Sequence, residues 1–297
     1  MQHSFLTVRD LLRYAVTRFS QAHLSFGHGN TNAYDEAAYL VLYTLHLPLD
    51  TLDPFLDARL LYSEISAVLD IIERRVTERL PAAYLTQEAW LHGYCFYVDN
   101  RVIIPRSLIS GLLLERLWPW VNAPDALTSV LDLCTGSGCL AIMAADAFPC
   151  AKIDAIDLST HALQVAQRNI DNYNLHKRIM LLAGNLFEPL TPRRYNLIIS
   201  NPPYVNDESM KNLTAEYCHE PKIALSGGRD GMDIVRQIID VARNWLTNDG
   251  LLVIEIGNER NYVEDMFGEF PLTWLPTDAG NDSVFLLRAE DLPLRKT

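Results

Sequence analysis

The sequence predicts an α/β fold in which a mostly parallel sheet with helices on both faces follows a small helical domain and a β-hairpin linker. Residues 1–85 place apolar side chains at helical spacing, residues 86–106 are rich in aromatic and β-branched side chains, and residues 107–297 alternate short strands with helices. Such alternation is typical of parallel sheets covered on both faces by crossover helices. We therefore predict two domains joined by the hairpin, for which 297 residues suffice.

The N-terminal domain is predicted to be a small bundle of helices. Leu6, Leu11 and Phe19 fall roughly on one face of a first helix. Further helices are predicted near residues 35–46 and 63–80. Their apolar stripes are interpreted as the core of the bundle.

The linker is predicted to be a β-hairpin. Its apolar and aromatic residues are interrupted at Asp99-Asn100, and such a pair is a natural turn. A helix over residues 108–118 is predicted to follow.

The second domain is predicted to contain seven strands. They are placed at residues 129–133, 152–156, 179–182, 196–200, 251–256, 273–276 and 283–287. Helices are predicted over 139–147, from the N-cap Ser159 to about 172, and over 231–246. The last two strands are predicted to form an antiparallel pair.

Charge and cysteine content restrict the classes of partner. The net charge is −12, so a long DNA duplex is a poor default partner and a basic protein a better one. The five cysteines include no Cys-x-x-Cys pair, which favours reduced thiols and predicts neither a zinc site nor a disulfide framework. Neither a signal-peptide layout nor an apolar run of membrane-spanning length occurs, so we expect a cytoplasmic protein without membrane contact.

A glycine-rich loop follows the first predicted strand of the second domain. Asp132 lies near the end of that strand, and Gly136 and Gly138 follow it, so the backbone can approach a ligand closely. A carboxylate at the loop suits a cation better than the pyrophosphate of a dinucleotide. S-adenosylmethionine carries an amino group and a sulfonium and no phosphate, and is therefore the predicted ligand.

Two further strand ends carry candidate ligands of the same cofactor. Asp157 ends the second strand, where a carboxylate can accept both ribose hydroxyls. Asn185 follows the third strand, where a side chain can contact the edge of the adenine. Both positions lie where α/β sheets bind ligands.

The fourth strand leads directly into Asn201-Pro202-Pro203-Tyr204. Two prolines fix the backbone, so the carbonyl of Pro202 and the side-chain oxygen of Asn201 offer two held acceptors. Two acceptors match an NH₂ group, can align its nitrogen with a methyl donor and stabilise the charge that grows on it. Tyr204 would offer a face to the planar group. The pattern therefore predicts methyl transfer to an amide or amine nitrogen.

The motifs DLCTGSGCLAI, IDLS, GNLF and NPPY together resemble the class I N5-glutamine methyltransferases, along nearly the whole chain. The resemblance implies a seven-stranded Rossmann-like sheet and methylation of a glutamine in a protein of the translation machinery. One bacterial branch of the family acts on release factors and the other on ribosomal protein uL3.

The linker and two other segments resemble the branch that acts on uL3. Ala89-Trp90 and Pro105-Arg106-Ser107 are similar to that branch, whereas the release-factor branch tends to continue its Pro-Arg with Pro-Glu-Thr-Glu. FGHGNTNAYDEA and DAGNDSVF also resemble the ribosomal branch. The resemblance implies uL3 as partner, with the helical domain recognising it and Pro105 and Arg106 at the entrance for the glutamine.

The predicted site comprises catalytic residues and cofactor ligands, with no metal. The catalytic residues are Asn201, Pro202, Pro203 and Tyr204. The cofactor ligands are Asp132, Cys134, Thr135, Gly136, Gly138, Asp157, Leu158, Asn185, Leu186 and Asn201. The family commonly has Asp where this chain has Asn185, so we expect cofactor binding to persist at a cost of about 1 kcal/mol.

Other functions fit parts of the pattern. A DNA adenine-N6 methyltransferase presents the same acceptors to an exocyclic NH₂. A release-factor glutamine methyltransferase also stays an alternative, because only resemblance separates the two branches. A ribosome-assembly factor that has kept only the fold is a third alternative. A dehydrogenase is disfavoured, because the eight histidines are scattered and no Tyr–Lys pair stands out.

Overall fold

The structure is a computed structural model that describes residues 5–293. The chain forms two compact units that interleave along the sequence. The first is helical and comprises residues 5–89 together with Val98–Asn100 and Leu213–His219. The second comprises Trp90–Tyr97, Arg101–Asn212 and residues 220–293. The predicted boundaries at 85/86 and 106/107 stay predictions.

The helical unit contains the three predicted helices and a short fourth one, Ala82–Thr86, that was not predicted. They are α1 (Val8–Gln21), α2 (Ala33–Thr44), α3 (Tyr62–Glu78) and α4 (Ala82–Thr86). Leu11 and Phe19 are fully buried in its core, as expected. Leu6 is 52% exposed, so its place in the stripe was wrong: the helix begins only at Val8, after the N-cap Thr7.

A buried ion cluster joins residues 213–219 to this unit. Arg75, which is fully buried, donates to Glu36 at 2.7 Å. That bond is made by Nε, and Nη1 of Arg75 lies 3.5 Å from Glu216, whose carboxylate also accepts a hydrogen bond from the backbone N–H of Ser25. Desolvation raises the pKa of Glu36, and Arg75 opposes that rise. The local sequence pattern does not predict these contacts, because the residues that make them lie far apart in the chain.

The hairpin forms, but its turn is not the predicted one. Strands β1 (Glu88–Leu91) and β2 (Tyr94–Tyr97) pair around His92-Gly93, with φ of 49° and 84°. Two positive φ values in a two-residue loop match the twist of paired strands, and glycine accepts them readily. Asp99-Asn100 lies after β2, so the predicted turn was wrong.

The second unit is built on the predicted seven-stranded sheet, counted within residues 5–293. Its strands are β3 (Ser129–Leu133), β4 (Lys152–Asp157), β5 (Ile179–Ala183), β6 (Tyr195–Ser200), β7 (Leu246–Glu255), β8 (Thr273–Trp274) and β9 (Val284–Arg288). They lie in the order β5-β4-β3-β6-β7-β9-β8. The first five run parallel, and β9 is antiparallel to both β7 and β8, which confirms the predicted closing pair.

Six helices accompany the sheet in the described part of this unit. They are α5 (Ile109–Leu114), α6 (Cys139–Ala147), α7 (Thr160–Asn172), α8 (Asp207–Lys211), α9 (Asp233–Trp245) and α10 (Arg260–Phe267). The helix predicted over 108–118 ends early, because Arg116 and Leu117 adopt φ of 52° and 55°. Helices α8 and α10 were not predicted.

Apolar side chains alternate between the two faces of the sheet. Along β6, Leu197 and Ile199 belong to the core beneath α5 and α6, whereas Ile198 belongs to the core beneath α9. All three are fully buried. The sheet is therefore covered on both faces, as parallel sheets require.

Candidate active site

Four strand ends meet at one edge of the sheet. Leu133 of β3 pairs with both Ile156 of β4 and Ser200 of β6, and Asp157 pairs with Ala183 of β5. The chain order reverses here, because β4 and β5 lie on one side of β3 and β6 lies on the other. Ligands of open α/β sheets bind at such a switch point, beyond the carboxyl ends of the strands.

Asp132 is a buried carboxylate beneath the glycine loop. Its side chain is fully buried, and its Oδ2 accepts a 2.6 Å bond from the hydroxyl of Thr135. Its Oδ1 is buried without a hydrogen-bond partner among the described residues. Desolvation raises the pKa of Asp132 to about 7, with Thr135 opposing. A cationic ligand would satisfy the remaining oxygen and favour the ionised form.

The loop itself depends on left-handed backbone conformations. Cys134, Gly136 and Gly138 have φ of 61°, 56° and 80°. A β-carbon at Gly138 would lie 3.2 Å from the Cβ of Ala166, whereas one at Gly136 would meet no atom within 4 Å. Gly138 therefore lets the loop pack on α7, and Gly136 faces open space where a ligand can approach.

Asp157 ties the loop to β4. Its Oδ2 accepts from the backbone of Gly136 and its Oδ1 from the backbone of Ser159, both at 2.8 Å. Desolvation raises the pKa of Asp157 and these two backbone donors oppose it. A carboxylate has about four acceptor positions, so each oxygen can still accept a hydroxyl.

A cavity of about 320 Å³ lies beyond these strand ends. That volume is at the lower end of the usual range for small-molecule sites, which is roughly 300–1,000 Å³. The cavity is lined by predicted cofactor and catalytic residues, namely Cys134, Gly136, Asp157, Leu158, Asn185, Leu186, Asn201 and Pro203. Residues of the 101–103 and 221–226 segments line it as well, which the sequence did not indicate.

A second and smaller cavity of about 30 Å³ adjoins the first. Asn201, Cys134, Gly136 and Ile103 line both cavities. Pro105, Arg106, Ser107 and Thr135 line only the smaller one. The structure thus brings Pro105 and Arg106 together with Asn201, at the end of the site where Thr135 bonds Asp132.

The Asn201–Tyr204 turn is held by glycines that the sequence analysis did not assign. A β-carbon at Gly227 would lie 2.7 Å from the carbonyl oxygen of Pro203, and one at Gly231 would lie 2.2 Å from that of Tyr204. The next residue, Val205, exchanges backbone hydrogen bonds with residues 225–227. The backbone of the turn is therefore fixed from outside as well as by its own prolines.

Asn185 lines the large cavity, while its amide also contacts Glu188. Nδ2 of Asn185 donates to Oε1 of Glu188 at 3.2 Å. This bond orients the amide and leaves its oxygen as an acceptor. The neighbouring Leu186 is buried, and Leu158 is 58% exposed at the cavity wall.

Two buried acids hold the segment that carries Pro105 and Arg106. Glu220 accepts hydrogen bonds from both terminal nitrogens of Arg106, at 2.6 and 2.7 Å. Glu255, at the end of β7, accepts from the hydroxyl of Ser107 at 2.5 Å and from the backbone of Leu108 at 2.8 Å. Desolvation raises the pKa of Glu255 to about 7. Neither acid was predicted, because their partners lie more than one hundred residues away in the chain.

Comparison with known proteins first identifies the class of protein to which the fold belongs. The methyltransferase small domain matches residues 110–228. The solved structure of the hMettl16 catalytic domain with MAT2A 3′UTR hairpin 1 has a TM-score of 0.51 at 14% identity, over 89% of this chain and 93% of that chain. This similarity concerns the fold alone. The sheet and its glycine loop are thus those of a class I methyltransferase.

Sequence relatives define the family. The ribosomal protein uL3 glutamine methyltransferase of Burkholderia pseudomallei is 64% identical over 97% of this chain and 96% of its own length. That of Bordetella pertussis is 58% identical over 96% of each. The chain belongs to the family of ribosomal protein uL3 glutamine methyltransferases, which confirms the resemblance found in its motifs. Between residues 5 and 293, no helix is long and apolar enough to cross a membrane.

Proposed function

We propose that this enzyme uses S-adenosylmethionine to methylate the side-chain nitrogen of a glutamine in ribosomal protein uL3, in the cytoplasm. The proposal rests on relatives that are similar to this chain over nearly its full length. It is supported by the position of Asn201, which lines both cavities. The names of those relatives favour uL3 over a release factor. A net charge of −12 also suits a basic ribosomal protein.

The chain's own residues support the cofactor assignment. Asp132 offers a buried oxygen to an amino group, and Asp157 offers carboxylate oxygens to ribose hydroxyls. Leu158 and Leu186 supply apolar surface for an adenine, and Asn185 supplies an acceptor at its edge. S-adenosylmethionine would supply an electrophilic methyl group on a sulfonium sulfur.

The role of Asn201 and Pro202 is to hold the amide nitrogen. An amide lone pair is delocalised, so its nitrogen is a weak nucleophile unless it is aligned with the methyl group. The side-chain oxygen of Asn201 and the carbonyl of Pro202 would accept the two N–H groups and stabilise the positive charge that grows on nitrogen. The nitrogen then loses a proton to solvent, so no general base is required before transfer.

Different parts of the chain have different roles in this proposal. The helical unit and the hairpin would recognise uL3, and the sheet would bind the cofactor. Pro105 and Arg106 would border the entrance for the glutamine, since they line the smaller cavity with Asn201.

A methyl-transfer assay tests the proposal. Purified uL3 and a release factor are offered separately with radiolabelled S-adenosylmethionine, and peptide mass spectrometry locates the methyl group. We expect labelling of uL3 on one glutamine and loss of the label when that glutamine is replaced. Labelling of the release factor alone would contradict the substrate assignment.

Asn201→Ala tests the role of the turn. We expect kcat to fall by about 10²–10³-fold, the usual effect of removing one group that stabilises transition-state charge. Asn172→Ala, at an exposed position ending α7, is the matched control and should keep full activity. Equal kcat for the two variants would remove Asn201 from the mechanism.

A further inference from the structure

Two segments far apart in the chain both form part of the wall of the large cavity. We call residues 101–107 the entry strip and residues 220–226 the return strip. Arg101, Val102 and Ile103 of the entry strip line the cavity. Pro221, Ile223, Ala224 and Ser226 of the return strip line it too. The shape of the cavity therefore depends on how the two strips are held together.

Glu220 joins the strips through one side chain. Its carboxylate accepts hydrogen bonds from both terminal nitrogens of Arg106. Its Oε1 also accepts one from the backbone N–H of Ile104, at 2.9 Å. The Glu220 side chain has no exposed surface, and that of Arg106 is 25% exposed. Bidentate pairs of this kind fix an orientation as well as a distance.

A buried ion pair of this type has little reason to exist for stability alone. Removing two charges from water costs roughly as much as their attraction returns, and apolar replacements are often as stable. What such a pair does provide is one defined geometry. Here that geometry sets the wall next to Asn201, because Arg106 lines the smaller cavity with it.

We propose that Glu220 is a positioning residue, a latch that holds the entry and return strips in the geometry that binds the cofactor. The latch would act through Arg106 and Ile104 and would not itself touch the cofactor. This inference rests on the proposed use of S-adenosylmethionine. Opening the latch would enlarge and loosen the cavity. Cofactor affinity should therefore fall whether or not the rate of methyl transfer changes.

The experiment compares Glu220→Gln with a matched variant, Asp154→Asn. Asp154 lies in the same unit and, like Glu220, is only 3% exposed. It also forms an ion pair with an arginine, Arg193, at 3.1 Å. It lies within β4, three residues before the strand end that carries Asp157. Asp154→Asn therefore reproduces the loss of a buried carboxylate without disturbing either strip.

Titration calorimetry with S-adenosylmethionine and with S-adenosylhomocysteine measures the effect, and thermal denaturation measures folding. We expect Glu220→Gln to raise both dissociation constants about tenfold, which corresponds to about 1.4 kcal/mol. Asp154→Asn should leave them within about twofold even if its melting temperature falls. In steady state, Glu220→Gln should raise the KM for the cofactor more than it lowers kcat.

Arg106→Gln/Glu220→Gln separates a latch from a purely structural pair. Removing both charges leaves no unpaired buried ion, so folding should recover relative to the single variant. Cofactor affinity should stay about tenfold weaker, because the strips are still unlinked. If Glu220→Gln fails to fold, the cofactor affinity of this double variant tests the proposal instead.

Two results would overturn the latch. One is wild-type affinity in Glu220→Gln, and the other is full recovery of affinity in the double variant. Absence of cofactor binding by the wild-type protein would instead refute the proposed function, so the two failures are distinguishable.

Discussion

Gly257 and Tyr204 are in direct contact, and the contact requires glycine. A β-carbon at Gly257 would lie 2.5 Å from Cε2 of the Tyr204 ring, and Gly257 has a φ of 55°. Gly257 follows β7, whereas Tyr204 ends the turn that follows β6. The loop after one strand thus sets the position of the aromatic ring that ends the predicted catalytic turn.

Gly257→Ala is expected to displace that ring and slow methyl transfer. A displacement near 1 Å at an active site can cost about a hundredfold in rate, so we expect kcat to fall by roughly 10–100-fold. Gly280→Ala is the control, because Gly280 also has a positive φ, of 112°, but a β-carbon there would meet no atom within 4 Å. If both variants kept the wild-type kcat, the Tyr204 position would not matter for catalysis.

Cofactor affinity should depend on pH through Asp132. Its pKa is raised to about 7, and a cationic amino group favours the ionised carboxylate. Affinity should therefore fall as pH drops below about 7, by at most about tenfold per pH unit. Calorimetry between about pH 5.5 and 7.5 tests this, because an α-amino group with a pKa of about 7.7–8.0 stays more than half protonated over that range.

Asp132→Asn should weaken binding at pH 7.5 and abolish this pH dependence. Asp154→Asn should keep the wild-type dependence, because its carboxylate lies within β4, away from the glycine loop. A pH dependence that survived in Asp132→Asn would assign the titration to another group.

Asn185→Asp should strengthen cofactor binding. The change keeps an acceptor at the cavity and adds a charge, so we expect a gain of about 1 kcal/mol, or roughly fivefold in affinity. It also places a carboxylate beside Glu188, which now accepts from the Asn185 amide. The variant Asn185→Asp/Glu188→Gln removes that repulsion and should bind at least as tightly. Unchanged affinity in both would mean that this side chain does not contact the cofactor.

Glu255 should make the protein lose stability as pH rises. Its pKa in the folded protein is about 7 against an ordinary value of 4.5, so the folded state holds the proton more tightly than the unfolded state. Its stabilising contribution is complete below about pH 4.5 and is lost as pH rises to about 7, on the order of 3 kcal/mol in all.

Urea denaturation of wild type and Glu255→Gln across this range isolates the effect. Glutamine retains an acceptor for Ser107 and Leu108 but does not titrate. We expect the wild type to lose stability relative to Glu255→Gln between about pH 4.5 and 7. Parallel curves would show that Glu255 does not titrate in that range.

The parts of the site that the sequence predicted are those encoded within a few residues. Asp132 lies near the end of an apolar strand, and Gly136 and Asn201 follow such strands, so the order of the motifs places them at one edge of the sheet. Strand ends and glycine- or proline-rich turns are local properties, so residue spacing could predict these three positions.

The parts that were missed depend on contacts between distant residues. Glu220 and Glu255 appear in the sequence as ordinary acids, and only the fold places them on Arg106 and Ser107. The hairpin turn was misassigned for a related reason. Asp99-Asn100 has strong turn propensity, yet the pairing of β1 with β2 selected His92-Gly93.

Asn169 has a consequence for protein engineering. This buried side chain of α7 bonds the backbone N–H and carbonyl of Tyr97 and the backbone carbonyl of Ser137. It thereby connects the end of β2 and the glycine loop to one helix through hydrogen bonds to backbone groups. Because these hydrogen bonds use only the backbone of Tyr97 and Ser137, a hairpin of different sequence but equal strand length could keep them, with the glycine loop left in place.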